Sequence, residues 1–121
     1  MIIKLLKDQV VRTSPMCGEI MEILDHSPFP NIIIAIDIHD TKAHYHNTFD
    51  EIYFVLDGEI YLKLYDPATK ELIEQRLGKN ELCVITKGAH HCVTKFSEKN
   101  RLCVISVPSF DPSDEHPSDY M

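Results

Sequence analysis

The sequence predicts an all-β domain, and two observations support that prediction. Runs rich in β-branched and aromatic residues recur about every ten residues, and turn signals such as Asp57-Gly58 separate them. No long amphipathic helical pattern interrupts these runs. Short strands at this spacing are typical of an antiparallel sandwich or barrel.

Ten strands follow from these runs, each bounded by residues that favour turns. The predicted strands cover residues 10–13, 18–24, 31–38, 43–46, 51–56, 59–65, 71–77, 81–86, 90–96 and 101–107. The clearest break is Asp57-Gly58, because Asp followed by Gly favours a two-residue hairpin turn with positive φ at both positions. That turn would place three residue pairs opposite one another on one face, namely Val55 with Ile60, Tyr53 with Leu62 and Glu51 with Leu64.

This predicted register places the Glu51 carboxylate on the same face as the core. A buried carboxylate is unfavourable unless it is paired or coordinated, so a ligand role for Glu51 is indicated. In the alternative, Glu51 lies at the solvated end of its strand. The opposite face of the hairpin is also apolar and carries Ile52, Phe54, Leu56 and Tyr61. An apolar face of this kind indicates an interface or a covering strand.

Length and composition restrict the class of protein. A chain of 121 residues with 44% hydrophobic content is expected to form one domain, here residues 1–107. A net charge of −7 disfavours nucleic acid and anionic membranes as partners. Lys4, Lys7 and Asp8 interrupt the apolar N-terminus, so we expect a cytoplasmic protein. The four cysteines show no C-x-x-C spacing and are expected to be free thiols.

The last fourteen residues, 108–121, form an acidic, proline-rich C-terminal tail. A stretch of this composition is usually disordered, with Phe110 as its early anchor. In the alternative, Asp111, Asp114 and His116 fold over the mouth of a pocket, because proline-rich chain is stiff enough to lie along a surface.

The run from His44 to Gly58 carries the strongest indication of function. His44 and His46 are two residues apart and therefore project from the same face of a strand, and a turn of four residues can return Glu51 toward them. His91 follows the Thr86-Lys87-Gly88 turn and supplies a third imidazole. Three imidazoles and a carboxylate suit zinc, iron, manganese, nickel or copper, although each residue could also be an ordinary surface residue.

The spacing resembles the first motif of the cupin superfamily, in particular of the small single-domain cupins. That motif reads H-x-H, three or four residues, E, six residues, G, and the match from His44 to Gly58 is complete. The second motif matches in part, at Gly78, at the turn ending in Gly88 and at His91. Thr86 stands where cupins have proline, and Lys95 stands where they have the closing asparagine. The resemblance covers about residues 17–108, and the glycine that opens the first motif is Ile38 here.

This resemblance implies a double-stranded β-helix, a jelly-roll-like barrel, that pairs as a homodimer. It also implies one divalent transition metal per chain (iron, manganese, nickel or zinc), held by His44, His46, Glu51 and His91. Four protein ligands leave open coordination positions on an octahedral ion, where a small molecule can bind.

Two functions remain open from the sequence. The first is a metal-dependent isomerase, lyase or dioxygenase acting on a small polar metabolite, such as a sugar derivative or a keto or hydroxy acid. The second is a non-catalytic, metal-assisted binding or sensor module. Tyr53, two residues beyond Glu51, is the candidate catalytic hydroxyl, although a core tyrosine is the alternative. His90 would face away from the site unless a bulge reverses it.

Overall fold

Two antiparallel sheets face each other across an apolar core. The computed structural model describes residues 11–14, 18–24, 32–39 and 41–121, and the side chains of residues 32–39 and 41–121. Within these ranges the chain forms strands only, without a helix, and therefore no helix that could span a membrane. The predicted all-β class is confirmed.

The described residues form eleven strands. They are β1 (Val11–Ser14), β2 (Gly18–Leu24), β3 (Ile32–Ile36), β4 (His44–Tyr45), β5 (Asp50–Asp57), β6 (Glu59–Asp66), β7 (Glu71–Gly78), β8 (Leu82–Ile85), β9 (His90–Phe96), β10 (Arg101–Val107) and β11 (His116–Pro117). One sheet has six strands in the order β1-β2-β3-β10-β5-β8, and the other has five in the order β11-β4-β9-β6-β7. All ten predicted strands are present, with ends shifted by at most two residues.

The predicted hairpin between β5 and β6 is wrong. Strand β5 pairs with β10 and β8 in the six-stranded sheet, whereas β6 pairs with β7 and β9 in the other sheet. Only Gly58 has positive φ at this turn, at 74°, so the connection is not the expected two-residue turn. The six residues of the predicted pairs still face the core, but they approach it from two opposed sheets. Local turn chemistry did not determine which strands became partners.

The turn at Gly58 lies against a second loop of the chain. A Cβ atom at Gly58 would lie 2.3 Å from the Lys99 carbonyl oxygen and 2.5 Å from Ser97 Oγ, so a side chain has no room there. In the same region the buried Asn100 side chain accepts a hydrogen bond from the Ile38 backbone N–H and donates to the Ile38 carbonyl. This satisfied amide joins the end of β3 to the start of β10.

The core lies between the two sheets and consists mainly of aliphatic side chains. Its buried members are Ala35, Ile38, Tyr53, Val55, Ile60, Leu62, Leu77, Ile85, Val93, Leu102 and Val104. Alternate residues of β5 are buried, as the period-two pattern predicts for a strand with one face on a core. Glu51 therefore lies at the end of an inward-facing row that continues with Tyr53 and Val55.

The tail segment 108–121 contributes a strand that the sequence analysis did not predict. Strand β11 pairs with β4, with His116 opposite Tyr45 and Pro117 opposite His44. The Ser118 N–H also donates to the Ala43 carbonyl. The expectation of a disordered tail is therefore wrong, whereas the domain boundary at residue 107 stays a prediction.

Candidate metal centre

Four buried side chains meet at one end of the space between the sheets. His44, His46, Glu51 and His91 each offer one ligand atom, and these atoms all lie within 4.8 Å of one another. The four residues are between 1% and 6% exposed. The sequence-predicted ligand set is thus brought together as one group that could bind a metal ion.

The strands explain why these side chains converge. His44 is the register partner of His91 in the pairing of β4 with β9, so their imidazoles lie side by side with ring centroids 4.4 Å apart. His46 follows β4 by one residue and points inward like His44. Glu51 reaches the group from β5 in the opposite sheet.

The turn before β9 is tied to the first motif. Gly88 has a φ of 82°, a backbone conformation that favours glycine, and its N–H donates to the His46 carbonyl at 2.7 Å. The Ala89 N–H donates to the Thr86 carbonyl, so the turn closes without the proline that cupins have at that position. The turn therefore holds the start of β9 beside His46.

Each of the three histidines bonds to a backbone carbonyl through Nδ1. His44 Nδ1 lies 2.6 Å from the Lys42 carbonyl, His46 Nδ1 lies 2.7 Å from the Asp114 carbonyl, and His91 Nδ1 lies 3.1 Å from the Ala89 carbonyl. A carbonyl oxygen only accepts, so Nδ1 carries the proton in all three. An imidazole in this tautomer presents the Nε2 lone pair, as metal-binding histidines do.

Three atoms in the centre of the group face one another. His46 Nε2 and His91 Nε2 lie 3.0 Å and 3.2 Å from Glu51 Oε1. None of these three buried atoms has a hydrogen-bond partner elsewhere in the described chain. Buried polar atoms are normally satisfied, and a cation between two imidazole lone pairs and a carboxylate would satisfy all three. The residues present therefore fit a metal ion.

The electrostatics of the group favour the metal-binding forms of His44 and Glu51. Burial, with the neighbouring His91, lowers the pKa of His44 to about 4, so this imidazole is neutral at pH 7. Burial opposes ionisation of Glu51, but His46 and His91 hold its pKa well below the usual range. Burial would also lower the pKa of His46, but Glu51 and the Asp114 carbonyl raise it. Protons therefore compete with a metal more strongly at His46 than at His44.

Solved structures of other proteins share this arrangement of strands. CapF of Staphylococcus aureus, a capsular polysaccharide assembling protein, matches 88% of this chain with a TM-score of 0.72 and 18% identity. Oxalate decarboxylase of Bacillus subtilis matches 91% of it with a TM-score of 0.74 and 14% identity. Pac13 of Streptomyces, in a variant solved with uridine, matches 100% of it with a TM-score of 0.75 and 11% identity. All three are cupin-fold proteins.

This chain has the cupin fold. It spans 31% of the CapF chain and 30% of the oxalate decarboxylase chain, but 94% of the Pac13 chain. No protein-family model matches the sequence, and no curated protein matches it. The likeness to solved structures establishes the fold, and the four buried residues occupy the positions of the two cupin motifs identified in the sequence.

Tyr53 lies beside this group on the same inward face of β5. It is 4% exposed, and its ring meets the His91 ring edge-on with centroids 6.3 Å apart. The predicted inward position of Tyr53 is therefore confirmed, while its catalytic role stays a prediction.

His90 lies outside the group, on the other face of β9. Its ring stacks on Tyr45 with centroids 4.2 Å apart, and its Nδ1 is 2.6 Å from Ser118 Oγ. The His90 and Tyr45 side chains line an external cleft of about 450 Å³, together with Tyr120. Since β9 does not reverse this pair of residues, His91 alone of the two joins the buried group.

The remaining histidines and the cysteines lie outside this group or outside the described residues. His39 meets Phe96 edge-on, and His116 bonds to the Asp114 carboxylate. Cys83, Cys92 and Cys103 are free, as expected, and burial raises the pKa of each thiol, to about 11 for Cys83. His26 and Cys17 lie outside the described residues.

Asp114 has a larger part in this group than the sequence indicates. From the sequence it is one of three tail residues, with Asp111 and His116, that could fold over the mouth of a pocket. In the structure its carbonyl accepts from a candidate metal ligand, and its carboxylate accepts from the backbone N–H groups of Asn47 and Thr48. No motif marks this residue, and its position in the tail was the only signal.

Proposed function

We propose that this chain is a metal-dependent enzyme that acts on a small polar metabolite by isomerisation, elimination or oxidation. His44, His46, Glu51 and His91 would hold one divalent transition metal. The proposal rests on one observation above all, namely the three buried atoms that converge at the centre of the group and have no hydrogen-bond partner outside it in the described chain. Leaving such atoms unsatisfied is unfavourable, so their convergence favours a ligand site over a packing role.

The chemistry of the site follows from the ligand count. Iron, manganese, nickel or zinc would polarise a bound oxygen of the substrate, because four protein ligands leave positions open on a six-coordinate ion. The protein itself contributes a fixed ligand geometry, since Nδ1 of each histidine is already bonded. A purely structural metal would be a poor explanation, because a core of this size should stabilise itself.

Tyr53 is proposed as the residue that orients the substrate or transfers a proton. It shares the inward face of β5 with Glu51 and lies next to His91. A tyrosine hydroxyl within reach of a bound substrate would serve as a general acid or base. We expect Tyr53→Phe to retain the metal and to lower kcat about a hundredfold, a value at the low end for such groups.

The comparisons guide the choice of first substrates. Pac13 is described as a nucleoside dehydratase, and the two chains match almost end to end. CapF and oxalate decarboxylase match over about a third of their length. We therefore place nucleosides such as uridine first in a substrate panel, followed by sugar derivatives and by keto and hydroxy acids.

The test is turnover by protein loaded separately with each metal. Product formation is followed by mass spectrometry for the wild type, His46→Ala and the control His39→Ala. The proposal expects turnover of at least one compound that is lost in His46→Ala and retained in His39→Ala, which alters an exposed histidine. A compound that binds only the metal-loaded protein and is recovered unchanged would favour the binding or sensor module.

We also propose that two copies of the chain pair through the outer face of the six-stranded sheet. Ile52 and Phe54 lie on that face, and their register partners on β8, Val84 and Leu82, are 53% and 55% exposed. An exposed apolar face of this kind marks an interaction surface. Light scattering should give a dimer for the wild type and a monomer for Val84→Glu, and a monomeric wild type would refute the pairing.

A further inference from the structure

The bond that orients His46 differs from those that orient the other two histidines. His44 and His91 donate to carbonyls only two residues away, whereas His46 donates to the carbonyl of Asp114, which is 68 residues away. The orientation of His44 and His91 is therefore set by the strands that carry them. That of His46 depends on the tail segment 108–121, which lies beyond both cupin motifs.

The side chain of the same tail residue holds the loop between His46 and Glu51. One carboxylate oxygen of Asp114 accepts from the Asn47 N–H at 3.0 Å, from the Thr48 N–H at 2.8 Å and from Thr48 Oγ1 at 2.6 Å. Asp114 is only 6% exposed. These bonds outweigh the effect of burial and hold the pKa of Asp114 well below its usual range.

A second contact links the tail to this loop. Phe49, the last loop residue before β5, is 1% exposed and stacks on the His46 ring with centroids 4.4 Å apart. Phe110 from the tail meets Phe49 edge-on at 5.6 Å. His46 is therefore held on one side by Phe49, which the tail supports, and at Nδ1 by Asp114.

We infer that Asp114 is a positioning residue of the metal centre. Its carbonyl selects the His46 tautomer that presents the Nε2 lone pair, and its carboxylate fixes the loop that carries the chain from His46 to Glu51. This inference rests on the proposed function, in which these side chains hold a metal. Removing an outer-shell partner of a metal ligand typically weakens metal binding 10-fold to 100-fold.

The test compares zinc affinities, measured by competition with a chelator, for the full-length wild type and three variants. Asp114→Ala removes all the carboxylate bonds, and we expect its zinc dissociation constant to rise at least about tenfold. Asp114→Asn keeps one oxygen for the loop N–H groups and should stay within about threefold of the wild type. Asp119→Ala removes an exposed carboxylate from the same tail and should leave affinity unchanged.

Each alternative result has a distinct meaning. Affinity of Asp114→Ala within twofold of the wild type would overturn the inference. Equal weakening in Asp114→Asn and Asp114→Ala would also overturn it, because the lost charge rather than the hydrogen bonds would then be responsible. A wild type that binds no zinc and no other divalent metal would instead refute the proposed function.

Two further measurements separate positioning from general destabilisation. The imidazole nitrogen shifts of zinc-loaded protein, read by NMR, should show one Nδ1-protonated tautomer for His46 in the wild type and a perturbed His46 signal in Asp114→Ala. The signals of His44 and His91 should be unchanged, and a uniform change in all three would count against the inference. Should Asp114→Ala fail to fold, Thr48→Val removes the 2.6 Å bond alone and should weaken zinc binding about threefold, whereas unchanged affinity would contradict the inference.

Discussion

The two faces of the five-stranded sheet use histidine in opposite ways. On the inner face His44 and His91 bond to carbonyls through Nδ1 and turn Nε2 toward a buried carboxylate. On the outer face His90, the neighbour of His91, stacks on Tyr45 and bonds to Ser118. The residue type alone therefore says little about function. Two features distinguish a candidate ligand from a packing residue. They are the hydrogen bond that Nδ1 makes and the group that Nε2 faces.

The largest expected contrast between the two faces is in stability. Leu62 is 0% exposed on the inner face of β6, and Leu72 is 57% exposed on the adjacent strand β7. Leu62→Ala should lower the free energy of unfolding by about 2–5 kcal/mol, and Leu72→Ala by less than about 0.5 kcal/mol. Urea denaturation of both variants measures this contrast, and similar losses would mean that the inner face is not the core.

The second contrast concerns the pH dependence of the metal-free protein. His44 has a folded pKa of about 4 against 6.5 in the unfolded chain, so its contribution to stability is complete above pH 6.5. As the pH falls from 6.5 to 4, the unfolded state binds the proton more readily than the folded state. The free energy of unfolding therefore falls by about 3 kcal/mol. His46, whose pKa is raised, acts in the opposite direction.

The variant His44→Asn isolates this effect, because it keeps a donor for the Lys42 carbonyl and removes the titrating group. The free energy of unfolding of the wild type, relative to that of this variant, should decrease as the pH falls from 6.5 to 4. A difference that stays constant with pH would contradict a buried, neutral His44.

The smallest contrast lies on the outer face. Tyr120 is 59% exposed and stacks on Tyr65 with ring centroids 4.6 Å apart. Exposed aromatic pairs contribute little to stability. Tyr120→Ala should therefore lower the free energy of unfolding, measured by thermal denaturation, by about 0.5 kcal/mol, and it should leave metal affinity unchanged. A marked loss of metal would show that the outer face is coupled to the metal centre through this ring.

Much of the fold followed from period-two patterning and turn residues, because these are local properties. The pairing of strands could not be predicted from local sequence. Asp57-Gly58 is a strong hairpin signal, and yet β5 and β6 belong to different sheets. Which sheet receives β6 is decided by how two apolar faces cover each other, and both arrangements bury the same inward residues.

The grouping of the four candidate ligands could be predicted because strand geometry places His44 and His46 on one face and the cupin resemblance supplies the position of His91. The position of His91 relative to Gly88 distinguished it from His90 correctly. Asp114 could not be predicted, because the tail lacks periodicity and its hydrogen bonds cross 66 to 68 residues of sequence. Long-range bonds of this kind depend on where the chain returns after the two sheets have formed.

A metal centre on the inner face is tested most directly at two adjacent histidines. The experiment is an equilibrium metal titration of the variants His91→Ala and His90→Ala. Loss of a ligand should weaken binding by at least about a hundredfold, whereas loss of an outward packing residue should change it by less than about threefold. We predict that His91→Ala loses the metal and that His90→Ala retains it. Equal affinities in the two variants, or a loss confined to His90→Ala, would contradict a metal centre on the inner face.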